Sequence, residues 1–195
     1  INKWLPSIKG AVTTLTKGGS FADVGCGFGH STTMIAEQFP QSSIRGIDPH
    51  DQSIHEAQRI AEQKSLSNLS YEIASAENYS GEYDIISFFD CLHDMGDPVA
   101  AVSYAKTKLK SGGALMIIEP YANDEVSENF NIIGQMYYSF STIACVPASK
   151  SQKGGMALGA QAGLKKLTNV LNNGGFSQVE MTYKTASNMV IEARV

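Results

Sequence analysis

Apolar positions along the chain return with two periods that take turns. Short runs rich in β-branched and aromatic residues, at 20–26, 43–48, 69–74, 83–90, 114–119, 178–183 and 189–195, predict strands. Between most of them the apolar residues recur every three or four positions, which predicts helices over 31–39, 54–64, 98–109 and 164–172. The punctuation agrees. Pro40 follows the first helix, Asp97 and Pro98 supply an N-cap and a first helical residue for the third, and Gly112 and Gly174 close the last two. Strand and helix in alternation predict a parallel sheet with helices on both faces. Only 184–188 separate the last two strands, short of the dozen or so residues a parallel crossover needs, so one strand is expected to run antiparallel at the end.

Residues 121–163 break the rhythm. A structureless loop beyond about 15 residues is uncommon in a compact domain, so this stretch is expected to fold. Its middle, NFNIIGQMYYSFSTIACVP, is apolar on most faces and its end, GGMALGAQAG, is rich in small residues. We read it as one or two helices capping the carboxyl end of the sheet, where open α/β folds bind ligands.

Composition narrows the class without changing the architecture. A length of 195 residues suits one domain, and 43% hydrophobic and 17% charged residues are ordinary globular values. The formal charge of -4 is spread out, and Lys106, Lys108 and Lys110 read as the solvated face of a helix, so no nucleic-acid footprint is expected. Cys26, Cys91 and Cys145 are odd in number and form no CxxC pair, which argues against a disulfide framework and against a zinc or other metal site. A cytoplasmic setting is expected from that usage. No apolar run approaches the roughly 18 residues of a membrane span, and the N-terminus lacks a signal pattern.

The candidate chemistry begins at ADVGCGFGH, residues 22–30: a strand that runs into glycines at every second position, with Asp23 just ahead. A strand, a glycine-rich turn and a helix, followed by an acidic residue at the end of the next strand, form a nucleotide-binding arrangement, and Asp48 is placed to meet a ribose diol. A nicotinamide dinucleotide fits poorly. The glycine spacing is GxGxG, His30 stands where close helix packing wants Gly or Ala, and Asp23 would repel a pyrophosphate on the helix N-terminus. S-adenosylmethionine has no phosphate and carries an ammonium and a sulfonium. Asp23 is then an attractive partner for the amino group, directly or through a water.

With ADVGCGFGHST, GIDP at 46–49, SAEN at 75–78 and FFDCLHDMGDP at 88–98 in chain order, the sequence resembles the class I S-adenosylmethionine-dependent methyltransferases over nearly its whole length. FFDCLHDMGDP, IIEP at 117–120 and ALGAQAG at 157–163 are similar to bacterial methyltransferases that carry a winged-helix-like domain ahead of the catalytic one. That resemblance implies a Rossmann-like seven-stranded sheet of order 3-2-1-4-5-7-6 with strand seven antiparallel, and a catalytic domain that is a fragment of a longer chain. Residue by residue it assigns Asp23, Gly25 and Gly27 to the methionine end of the cofactor and Asp48 to the ribose. Pro49, Ala76 and Glu77 fall beside the adenine, and Phe89 and Asp90 next to the reactive methyl.

In-line methyl transfer depends chiefly on holding the acceptor close and aligned, and a base helps only where the acceptor must lose a proton. His93, just past the fourth strand and with an ordinary pKa of about 6.5, is the candidate base, ahead of Asp90 and Asp94. Cys91 shows no sign of activation. We expect a small-molecule acceptor, gripped between the 89–93 loop and a cap whose Phe130, Met136, Tyr137, Tyr138, Phe140 and Met156 either anchor it to the sheet or wall a dry pocket. A homodimer is compatible with this reading. Two other classes stay open: a non-catalytic sensor of the cofactor or of a small molecule attached to a DNA-binding regulator, and a nicotinamide oxidoreductase, which Asp23 and His30 disfavour.

Overall fold

A computed structural model describes residues 1–195. Seven strands form one sheet of order β3-β2-β1-β4-β5-β7-β6. The strands are β1 (Ser20–Val24), β2 (Ser43–Asp48), β3 (Leu69–Ile73), β4 (Tyr83–Phe89), β5 (Leu109–Pro120), β6 (Gln178–Lys184) and β7 (Asn188–Arg194). β7 runs antiparallel between β5 and β6, and every other pairing is parallel. The expected topology is therefore the observed one.

Because strand side chains alternate, each central strand feeds two cores. On one face Ile86, Phe88, Leu115 and Ile117 pack with Ala101 and Val102 of α5 (Pro98–Lys108) and Leu167 and Leu171 of α8 (Gly163–Asn173). On the other, Ile85, Met116, Ile118 and Val190 meet Leu5 of α1 (Trp4–Ser7), Leu15 of α2 (Ala11–Thr16) and Ile35 of α3 (His30–Gln38). Helices α1 and α2 escape sequence reading because four and six residues are too few to show a period. They complete the helix layer on that face of the sheet, and no winged-helix unit lies among the 195 residues. Helix α4 (Asp51–Gln63) begins three residues earlier than the apolar pattern suggests, because His50 Nδ1 caps it by accepting from Ser53 N.

The 121–163 segment folds into a 3-10 turn (Val126–Asn129) and one long helical rod. The rod consists of α6 (Ile132–Phe140), a π turn (Ser141–Cys145) and α7 (Val146–Lys150). Asn131 caps it, accepting from Ile133 N and Gly134 N at 3.1 and 2.9 Å. Pro147 lies inside the rod, where its ring would clash with the carbonyl one turn back; the widened turn just before it absorbs that conflict and turns Ser141 and Cys145 inward. The rod lies over loops at the carboxyl ends of the strands, as expected. Of the side chains expected to anchor the cap or wall a pocket, Phe130, Met136, Phe140 and Met156 are exposed, as are Ile132 and Ile143, so none of them joins the core, and Phe130 lines a cavity with Gln135 and Tyr138. Tyr137 and Tyr138 are half-buried, with Tyr137 Oη donating to Ser187 O at 3.1 Å.

Candidate active site

β1 ends in a loop where Gly25, Gly27 and Gly29 all adopt left-handed φ, 77, 52 and 70°, conformations that side chains rarely take. A Cβ on Gly25 would fall 2.6 Å from Cys91 Sγ, whereas one on Gly27 would meet nothing within 4 Å. The loop is thus packed from below and open at its centre. Asp48, at the end of β2, ties it in place: one carboxylate oxygen accepts from Gly27 N and the other from His50 N, both at 2.9 Å. Each oxygen keeps a lone pair for a ligand hydroxyl.

Beside the loop lies a cavity of about 200 Å³ whose wall includes Gly25, Pro49, Ala76, Glu77, Met95 and Gln152. That is smaller than the roughly 300–1,000 Å³ of a whole ligand site and suits one ring system of a larger molecule. Four of the residues assigned to the cofactor from the sequence thus share one wall, and Gly27 and Asp48 adjoin it.

Two assigned residues are placed differently. Asp23 is fully buried beneath the loop, accepting from Ser31 and Thr32 hydroxyls at 2.7 Å each and from Ser87 at 3.4 Å. Burial pushes its carboxyl above the ordinary range, against the lowering pull of those three donors. Contact with an ammonium is not available to it in this arrangement, and the half-buried Ser31 hydroxyl is the outermost group of its network. The cause is the pleat: position 23 points at the first turn of α3, where the hydroxyls converge. Phe89 is drawn away for the same reason, its ring stacking on Trp4 with centroids 6.5 Å apart.

His93 lies in a 3-10 turn (Leu92–Asp94) just after β4 and is 4% exposed. Its Nδ1 donates to Glu119 Oε2 at 2.5 Å, while Glu119 Oε1 accepts from Leu92 N at 2.9 Å. Glu119 is itself buried, at the end of β5, so one carboxylate orients both the imidazole and the turn that carries it. On the far side of the ring, Nε2 stands 3.2 Å from Asp94 Oδ1. Burial alone would lower the His93 pKa. The hydrogen bond to Glu119 and the charges of Glu119, Asp94 and Asp90 outweigh it and raise the value to about 9. Asp90, with φ 55°, bends the chain past the strand end, and its carboxylate stands in one cluster with His93 and Glu119, their ligand-type atoms within 4.8 Å of one another. Such a cluster has donors for a divalent ion, yet the Glu119 bond to Nδ1 already accounts for the ring's position. Cys91 donates to Val24 O at 3.3 Å, and burial holds its thiol well above the ordinary range, which makes it a poor nucleophile.

The profile of a family described as "Methyltransferase domain" matches residues 15–175, most of the chain. The chain belongs to this methyltransferase family. Its cofactor is S-adenosylmethionine, and the nicotinamide reading falls away. Among curated relatives, this methyltransferase is 30% identical over 105 residues to trans-aconitate 2-methyltransferase of Deinococcus radiodurans, covering 54% of this chain and 39% of that one. It is 29% identical over 121 residues to ubiquinone biosynthesis O-methyltransferase of Acinetobacter baylyi, covering 59% and 49%. The fold superposes on human N-acetylserotonin methyltransferase in complex with SAM with a TM-score of 0.71 at 16% identity, over 99% of this chain and 50% of that one. The chain thus spans under half the length of these two curated relatives. No helix of the methyltransferase is long and apolar enough to cross a membrane.

Sequence reading missed Glu119 and Gln152. The signal for Glu119 was a lone carboxylate ending an otherwise apolar strand in IIEP. Gln152 had no signal, since SQKGG reads as a plain polar turn.

Proposed function

We propose that the domain transfers a methyl group to a hydroxyl oxygen of a small molecule, with His93 as general base and Glu119 as the group that orients it. The observation that carries this reading is the buried His93–Glu119 pair, because a base so carefully held serves only an acceptor that must lose a proton. The names of both curated relatives, one acting on trans-aconitate and one an O-methyltransferase of ubiquinone biosynthesis, support a small-molecule acceptor.

The residues at hand fit the cofactor: an open glycine loop, a carboxylate with free lone pairs at Asp48, and a ring-sized cavity beside Pro49, Ala76 and Glu77. When bound, S-adenosylmethionine supplies an electrophilic methyl on a sulfonium. The chain supplies the rest. Asp48, already fixed by two backbone amides, receives the ribose hydroxyls. Ala76 and Glu77 line the adenine side. Glu119 holds one ring proton on Nδ1, so the imidazolium, whose pKa is raised to about 9, loses its other proton from Nε2; once that proton is lost, an acceptor hydroxyl takes the place of Asp94 Oδ1 at that nitrogen, and the rate is expected to climb with pH toward about 9. Asp90 and Asp94 then stabilise the imidazolium that forms.

A test uses methyl-labelled S-adenosylmethionine, the small-molecule fraction of a cell extract, and mass spectrometry of labelled products. His93→Gln is expected to lower the rate on the order of 10²–10⁴-fold, the usual worth of a positioned base, with affinity for S-adenosylhomocysteine within a few-fold of the parent. A variant as fast as the parent would remove His93 from the chemistry.

A further inference from the structure

The last turn of the cap rod and the strap that follows it, residues 149–156, lie between the two halves of the site. Gln152 reaches across to the loop after β4: its Oε1 accepts from Gly96 N at 3.0 Å and its Nε2 donates to Asp94 O at 2.9 Å. Ser149, fully buried, donates to Met95 O at 2.8 Å and accepts from Ala157 N at 2.9 Å. Met156 N donates to Gly96 O at 2.9 Å. The loop that carries His93 is therefore held by cap groups at Asp94, Met95 and Gly96 in succession.

The approach is close enough to need glycine on both sides. A Cβ on Gly96 would fall on the Lys153 carbonyl and within 2.6 Å of Gln152 Cβ, and one on Gly154 would lie 2.7 Å from Gly96 O. Gln152 and Lys153, on the same strap, also complete the wall of the cavity formed by Gly25, Pro49, Ala76 and Glu77. The strap thus closes the ring cavity and grips the loop of the base, whose Met95, Gly96 and Asp97 share the same wall.

We propose that Gln152 is a positioning residue for both halves of the reaction: through it, residues 149–156 form a clasp that closes the adenine side of the cofactor site and sets the His93 loop, so that cofactor seating and base geometry are coupled. This inference rests on the cofactor seat proposed above. Because the strap is part of the cavity wall, removing the cap is expected to weaken cofactor binding as well as methyl transfer.

The test compares Gln152→Ala, an exposed position, and Gly96→Ala with the parent protein, using S-adenosylhomocysteine as the probe. Stopped-flow association and dissociation are measured, together with the His93 ring resonance before and after saturation. Loss of two hydrogen bonds across the clasp is expected to speed dissociation about tenfold in Gln152→Ala, with association also faster and the melting temperature within a few degrees of the parent. Saturation is expected to shift the His93 resonance in the parent, and less so in both variants. A merely structural role would lower the melting temperature without raising the association rate. Parent-like rates and parent-like coupling in both variants would overturn the clasp. Asp48→Ala serves as the control for the seat itself: if it binds the probe as tightly as the parent, the cofactor seat is wrong, whereas if it weakens binding while the clasp variants do nothing, only the clasp is wrong.

Discussion

Glu119→Gln removes one negative charge from a carboxylate that is 1% exposed and leaves a side chain of nearly the same shape. In the parent, His93 titrates at about 9 against an ordinary value of about 6.5. At about 1.4 kcal/mol per pH unit, the surrounding carboxylates thus favour the imidazolium by about 3 kcal/mol after burial has taken its share. Glu119 makes the only bond to Nδ1, at 2.5 Å, while Asp94 Oδ1 stands farther off at 3.2 Å, on a side chain whose other atoms are partly exposed. Most of the stabilisation is therefore assigned to Glu119, and its loss is expected to lower the His93 pKa by about 2 units. A second effect concerns the tautomer. The oxygen of the introduced amide is needed by Leu92 N, which turns the NH2 toward Nδ1 and moves the imidazole proton to Nε2. Methyl transfer is expected to fall on the order of 10⁴-fold, as when a triad carboxylate is replaced by its amide. The assay is carbon-edited NMR of the His93 ring in labelled protein, titrated from about pH 5 to 10. A His93 pKa near 6.5 in the parent, or one that does not move in Glu119→Gln, would refute the electrostatic reasoning. The stability sign is also fixed. A histidine whose folded pKa is raised stabilises the fold fully below about pH 6.5 and loses that contribution as pH climbs through about 9, whereas burial raises the Glu119 carboxyl and makes its charge a cost that the variant lacks, so any lead of the parent over the variant in urea midpoint should shrink as pH rises.

Asp48→Ala removes the acceptor of Gly27 N and His50 N together with the proposed ribose contact, and is expected to weaken S-adenosylhomocysteine binding by about 1.5–3 kcal/mol by calorimetry. Undiminished affinity would take Asp48 out of the site. Asp23→Asn places an amide nitrogen among the hydroxyls of Ser31, Thr32 and Ser87, and is expected to cost about 1–3 kcal/mol of stability in urea unfolding. A variant with parental stability and impaired cofactor binding would contradict the buried role and restore the direct one.

Much of the fold was legible in the chain. Ile85 alternates with Ile86 on β4, and Met116 with Ile117 on β5, in apolar runs, broken on β4 by Ser87, that mark strands buried on both faces. The short 184–188 link requires an antiparallel turn whatever surrounds it. Asp97 caps α5, accepting from Ala100 N at 2.9 Å, as its place before Pro98 predicts. The sheet order was a matter of resemblance, because side-chain period tells which face a residue takes and not which strand lies beside it.

The site was legible as a list and not as a geometry. Gly25, Gly27 and Asp48 carry their conformational and charge requirements in residue type, so local sequence was enough to single them out. Asp23 shows the limit: a carboxylate next to a glycine loop can point to its mouth or its floor, and only the packing of α3 on β1 decides for the floor. Glu119 joins His93 because β4 and β5 end in register, with Phe89 opposite Ile118, a pairing across 29 positions of sequence. The cap's exposed Phe130, Ile132 and Phe140 follow the same logic in reverse: their apolarity is local, but burial depends on whether another surface reaches them. Residue type and period are properties of the chain, whereas which groups share a desolvated space is set by long-range packing, and that is what gave His93 its partner.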